Sequence, residues 1–158
     1  MPGSFPIIQK AFETIGFAKV ATSAKEAQAI GYLQKDDRIV INRNYILSEA
    51  KKEVLEMSKD YKIPEVESFK LPGKSGRLVL EGTLKGFVKS GKISEHDALI
   101  GRKLGNVLTG GEKAGLTKSV DEQYILDIER EAFVSLAGEK LSQDRIRFML
   151  KKGKPLRN

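Results

Sequence analysis

The sequence predicts a mostly α-helical protein with at most one or two short strands. Three observations carry this. Apolar residues recur at i, i+3, i+4 and i+7 in most segments, the spacing that lines one face of a helix. Ser23 with Glu26, and Ser119 with Glu122, have the spacing of capping boxes, in which two side chains satisfy orphan N–H groups at a helix start. Gly16, Gly31, Gly138 and Gly153 stand just past the ends of apolar-periodic runs, where glycine commonly closes a helix.

The elements follow in order. Pro6 to Ile15 carries Ile8, Ala11, Phe12 and Ile15 at helical spacing. Ser23 and Glu26 open a short helix to about Ile30. Gln34 to Asp37 is a polar turn, and Arg38 to Ile41 reads as a short strand. An amphipathic helix is expected from about Arg43 to Asp60, with Leu47, Ala50, Val54 and Met57 inward. Lys51, Lys52, Glu56 and Lys59 lie outward or at its edges. Ile63 to Ser75, punctuated by Pro64, Pro72, Gly73 and Ser75, reads as a linker loop between residues 1–62 and a helical bundle over residues 76–158.

That bundle begins with a helix over Gly76 to Lys89, with Leu80, Leu84, Phe87 and Val88 on one face. Ser94 opens the next helix, which buries Ile100, Leu104, Val107 and Leu108 and ends at Gly110 and Gly111. Gly101 and Gly105 share a face where a neighbouring helix can approach closely, at a propensity cost of roughly 1 kcal/mol each against Ala. A helix from about Val120 to Leu136 turns Val120, Tyr124, Ile125, Ile128, Ala132 and Leu136 inward. Ser142 is placed to cap the last helix, about Gln143 to Lys152, whose core stripe is expected to be Ile146, Met149 and Leu150.

At about 100° per residue, Phe148 lies off that stripe, on the side of Lys151 and Lys152. Two readings stand. Phe148 packs against another part of the chain or a second subunit, beside a solvated basic tail. Otherwise the ring and the ammonium groups form a site for a flat ring carrying phosphates, since Lys supplies point charge and Phe a stacking face.

Composition narrows the function classes. The 158 residues suit one domain, and 40% hydrophobic content is enough for a core. The net charge of +7 favours anionic partners. The basic residues are spread over several helices rather than gathered on one face, so nucleic acid is not an expected partner and a basic nucleic-acid-binding domain is the last alternative, after a stand-alone helical interaction module. The absence of Cys excludes disulfides and thiolate chemistry and fits a cytoplasmic protein. No apolar run approaches the roughly 18 residues that a membrane span needs, and no secretory signal is expected.

Several chemical motifs fail. GGEKAGLTKS, residues 110–119, has Leu116 where a phosphate loop needs Lys directly after its last Gly. His96 is the lone histidine, expected on the surface, so no His cluster can bind a metal and no metal site is predicted. Glu129 and Glu131 are two residues apart and point to different helix faces, so they do not form a carboxylate pair. No catalytic residue is assigned.

Residues 11–58 (AFETIGFAKVATSAKEAQAIGYLQKDDRIVINRNYILSEAKKEVLEMS) resemble the stretch that follows the catalytic core of the enoyl-CoA hydratase/isomerase (crotonase) family, with Ala24, Glu26, Ala27 and Gly31 in its short helix. EREAFVSLAGEKLSQDRIRFMLKKGKPLRN resembles that family's last two helices. VLTGG (Val107 to Gly111), EQYILDIEREAF (Glu122 to Phe133) and MLKKGKPLRN (Met149 to Asn158) resemble the C-terminal end of 3-hydroxyacyl-CoA dehydrogenases that carry a crotonase-like domain. The resemblance implies the C-terminal part of a fatty-acid β-oxidation enzyme. The catalytic glutamates, oxyanion-hole amides and NAD-binding domain would then lie upstream, and this chain would not turn over substrate alone. It also implies that Phe148 and Lys151 reach the adenine and phosphate of coenzyme A, so the thioester substrate acyl-CoA is the expected ligand. The upstream dehydrogenase and crotonase core, and a homo-oligomer, are the expected partners. Gly153 and the short tail depart from the family pattern at Lys152 and Lys154. The segment Gly76 to Gly111 has no counterpart in simple crotonases, and covering the dehydrogenase part or making oligomer contacts is the role expected of it.

Overall fold

The computed structural model describes residues 5–158. Among these residues the fold is mostly α: helices α1 (Phe5–Gly16), α2 (Ala24–Ile30), α3 (Ile46–Met57), α4 (Gly73–Lys89), α5 (Glu95–Leu108), α6 (Glu122–Ala137) and α7 (Lys140–Lys152), with strands β1 (Ser68–Lys70) and β2 (Ser119–Asp121). The chain divides into two compact units, Ala18–Glu65 and the remainder. Helix α1 groups with the C-terminal unit, a regrouping of the expected 1–62 segment, because Phe12 joins the core made by α4.

In the larger unit, Phe12, Leu80 and Leu84 form the buried centre, with Phe5, Ile93, Leu104 and Leu108 packed around it. The glycine face of α5 carries out its expected role. A Cβ at Gly101 would meet Leu84 Cδ2 at 2.6 Å, and one at Gly105 would meet Leu80 Cδ1 at 3.4 Å, so α5 approaches α4 as closely as hydrogen side chains allow. Ser94 caps α5, with a full capping box to Asp97. At the other end Thr109 is fully buried, its Oγ1 donating to the Gly105 carbonyl at 2.7 Å. The chain then turns through Gly110 (φ +84°) and Gly111 (φ +60°), left-handed positions that favour glycine.

Two expectations here are corrected. The stretch Ile63 to Ser75 is not all loop: residues 68–70 pair antiparallel with residues 119–121, Phe69 opposite Val120, and α4 begins at Gly73. Ser119 consequently sits in a ladder and does not cap α6. Asp121 takes over, its Oδ1 accepting the Tyr124 N–H at 2.8 Å. A strand needs a partner for its backbone groups, and that partner lies about fifty residues away, out of reach of local pattern.

The unit Ala18–Glu65 contains no buried residue. Helix α2 starts at Ser23 as expected, its Oγ accepting the Glu26 N–H at 3.2 Å, but the expected capping box is not closed on the Ser23 N–H; the helix ends at Gly31 (φ +95°). The Glu26 carboxylate reaches Thr22, accepting its Oγ1–H at 2.6 Å and its N–H at 2.7 Å, and these bonds hold Glu26 below the usual carboxylate range. The strand expected at Arg38 to Ile41 does not form: no segment pairs with it, and Ile41 is 99% exposed. The inward face expected for α3 is also corrected. Leu47, Val54 and Met57 are exposed, and the better-covered side is that of Glu49 and Glu53, both paired with Arg38. The helix is as amphipathic as its spacing predicts, but nothing in its unit covers the apolar side.

Candidate functional site

Helix α7 carries the residues singled out from the sequence. It begins after Glu139, without a side-chain cap, and closes at Gly153 (φ +62°), whose N–H donates to the Met149 carbonyl at 2.8 Å. Lys151 and Lys152 lie in its last turn, where cations favour the carbonyl end of the helix dipole.

The expected core stripe is reversed. Ile146, Met149 and Leu150 face outward, 52%, 46% and 81% exposed. Ser142, Asp144, Arg145 and Phe148 are the half-buried residues. The reason is the way α7 is anchored. Arg145 Nη1 donates to Asp97 Oδ1 at 2.7 Å in the first turn of α5, and Arg145 Nε donates to Asn158 Oδ1 at 2.7 Å. Ser142, expected to cap α7, instead bonds His96 through its Oγ, 3.0 Å from Nε2. Polar contacts rather than apolar burial therefore decide which side turns in, and Phe148 turns in with them. It stands between its two sequence readings: half-buried, on the anchored side of the helix, with exposed Lys151 one turn beyond.

His96 is buried, 6% exposed, which corrects its expected surface position. Near the N-terminus of α5 it faces α7, and its bond to Ser142 ties the two helices. Asp97 receives the Ser94 N–H at 2.9 Å, the Ser94 hydroxyl at 3.0 Å and Arg145. Burial acts to raise its pKa, but the hydrogen bonds from Ser94 and Arg145 and the guanidinium charge outweigh it, so Asp97 lies below the usual carboxylate range.

A cavity of about 200 Å³ lies elsewhere, between α4 and α5, with Leu78, Leu80, Leu84, Gly101 and Gly105 in its wall and Arg77 and Arg102 at its edge. Both arginines are already engaged, Arg77 with Glu112 at 2.6 Å and Arg102 with Glu81 at 3.8 Å. Neither Phe148 nor Lys151 lines it. Among the described residues no three His, Cys, Asp or Glu side chains are placed to hold a metal, and no helix is long and apolar enough to cross a membrane.

Sequence reading missed Arg145 and its partners Asp97 and Asn158. One signal was available: Arg145 precedes Phe148 by three residues, so a helix that buries one turns the other the same way.

The chain is 45% identical over 150 residues to a probable 3-hydroxyacyl-CoA dehydrogenase of Bacillus subtilis (strain 168). The match takes in 94% of this chain and 19% of that protein, so the chain spans about a fifth of the length of the relative it matches. No protein-family model matches the chain, and no solved structure does.

Proposed function

We propose that this chain is the C-terminal helical region of a 3-hydroxyacyl-CoA dehydrogenase that also carries a crotonase-like domain. Such a parent protein of fatty-acid β-oxidation would hydrate a trans-2-enoyl thioester and oxidise the 3-hydroxyacyl product with NAD. The single observation that carries the dehydrogenase reading is the 45% identity over 150 residues; the crotonase-like domain and the C-terminal position rest on the sequence resemblance. The region supplies scaffold and a contact to coenzyme A, with Lys151 toward a phosphate and the uncovered part of Phe148 toward the adenine. The exposed last-turn position of Lys151 suits that role. NAD belongs to the upstream part.

The apolar sides of α3 and α7, which nothing in their own units covers, support the scaffold role. Leu47, Val54 and Leu150 are each more than 60% exposed, as suits surfaces that the dehydrogenase and crotonase parts cover. The same exposure favours a second reading, a helical module that assembles with itself and ignores coenzyme A.

Calorimetric titration with coenzyme A and with dephospho-coenzyme A tests the first reading. Saturable binding that weakens without the ribose phosphate, with Lys151→Ala and with Phe148→Ala, is the expected result. No heat from the wild-type chain, together with a stable oligomer by light scattering, would replace it with the second.

A further inference from the structure

We infer that Arg145 is a positioning residue: its guanidinium holds α7 and residues 153–158 against the first turn of α5, and so sets where Phe148 and Lys151 stand. Three elements meet on one planar group. Nη1 donates to Asp97 of α5 at 2.7 Å, Nε donates to the Asn158 side chain at 2.7 Å, and Nη2 donates to the Asn158 main-chain oxygen at 3.0 Å. Asn158 in turn donates its Nδ2–H to the Leu141 carbonyl at 3.3 Å, which closes the tail back onto the start of α7. The Arg145 and Asp97 side chains are 21% and 34% exposed, so the pair is partly shielded from water.

The weight falls on this residue because α7 has little else. It contains no buried residue, and its apolar stripe faces out. Besides Arg145, the described polar tie from α7 to α5 is Ser142 with His96. Losing Arg145 should therefore loosen α7 and the tail while the Phe12–Leu80–Leu84 core stays intact. Lys is not a substitute. An ammonium is a point charge and cannot direct donors to Asp97 and Asn158 at once.

The coenzyme consequence rests on the proposed function; the anchoring does not. Hydrogen–deuterium exchange of Arg145→Met, Arg145→Lys and Asp97→Asn, read separately over residues 140–152 and over α4 and α5, tests the anchoring. Exchange in α7 about tenfold faster, with α4 and α5 unchanged, is expected of Arg145→Met and Arg145→Lys, and a smaller increase of Asp97→Asn, which leaves the Asn158 bonds. Coenzyme A affinity should fall about tenfold with it. In the Arg145 variants, exchange in α7 within twofold of wild type, loosening of α4 and α5 alongside α7, or a loosened α7 with undiminished affinity would each overturn the inference. If the wild-type chain binds no coenzyme A, the proposed coenzyme contact falls, and the exchange measurement alone still decides whether Arg145 holds the helix.

Discussion

Helices α5 and α3 carry equally plain apolar spacing, yet only α5 has buried residues, at Ala98, Gly101, Gly105 and His96, with its expected stripe of Ile100, Leu104, Val107 and Leu108 half-buried. In α5 the stripe includes Gly101 and Gly105, and α4 brings Leu80 and Leu84 into the space those glycines leave. In α3 the stripe of Leu47, Val54 and Met57 meets no partner within its unit. Periodicity states which face is ready for burial. Whether burial happens depends on a complementary surface elsewhere in the chain. Helix α7 is a third case, in which a charged group on the less apolar side chose the orientation.

The largest test of this contrast is Leu80→Ala. Leu80 is 2% exposed, so removal should cost about 2–5 kcal/mol, read as a lowered denaturant midpoint. A loss near zero would mean the α4–α5 contact is not the stabilising core. Next comes Gly111→Ala. Its φ of +60° and a Cβ 2.6 Å from Tyr124 Oη set the cost at about 1–3 kcal/mol, measurable in the same way. An unchanged midpoint would place the start of α6 farther from this turn than the geometry has it.

A pH titration of unfolding sharpens the α7 case. Asp97 is depressed in the folded state, so its stabilisation is complete above its unfolded pKa of about 3.9 and is lost as pH falls through the lower folded value. Asp97→Asn should therefore destabilise at pH 7 and converge with wild type in acid. Parallel curves at every pH would show that the carboxylate charge contributes nothing. The smallest effect belongs to Val54→Ala on α3, expected within about 0.5 kcal/mol because that side chain is 64% exposed. A core-sized loss there would mean that the apolar side of α3 is covered in solution, for instance by a second copy.

Much of the fold was legible because its signals are local. Ser23, Ser94, Gly31 and Gly153 act at helix ends within a few residues of the groups they satisfy. The glycine face of α5 was legible too, since only a close neighbour explains two glycines one turn apart. The strand pair was not, because residues 68–70 and 119–121 are bound to each other by backbone groups that every sequence carries. Of the candidate site, only the placement of Phe148 and Lys151 on the last helix was readable. The direction they face was not, since it depends on Arg145 finding Asp97 forty-eight residues away.

The sequence by itself determined the helical class, most helix C-terminal ends and the readiness of one face of α5 for a close neighbour. These rest on backbone propensity, capping and side-chain volume within one or two turns. Tertiary structure alone decided the burial of His96, the uncovered side of α3 and the outward turn of Ile146, Met149 and Leu150. Each of those depends on which surfaces meet, and a hydrogen-bonded guanidinium partly shielded from water can outweigh three apolar side chains when no apolar surface is there to receive them.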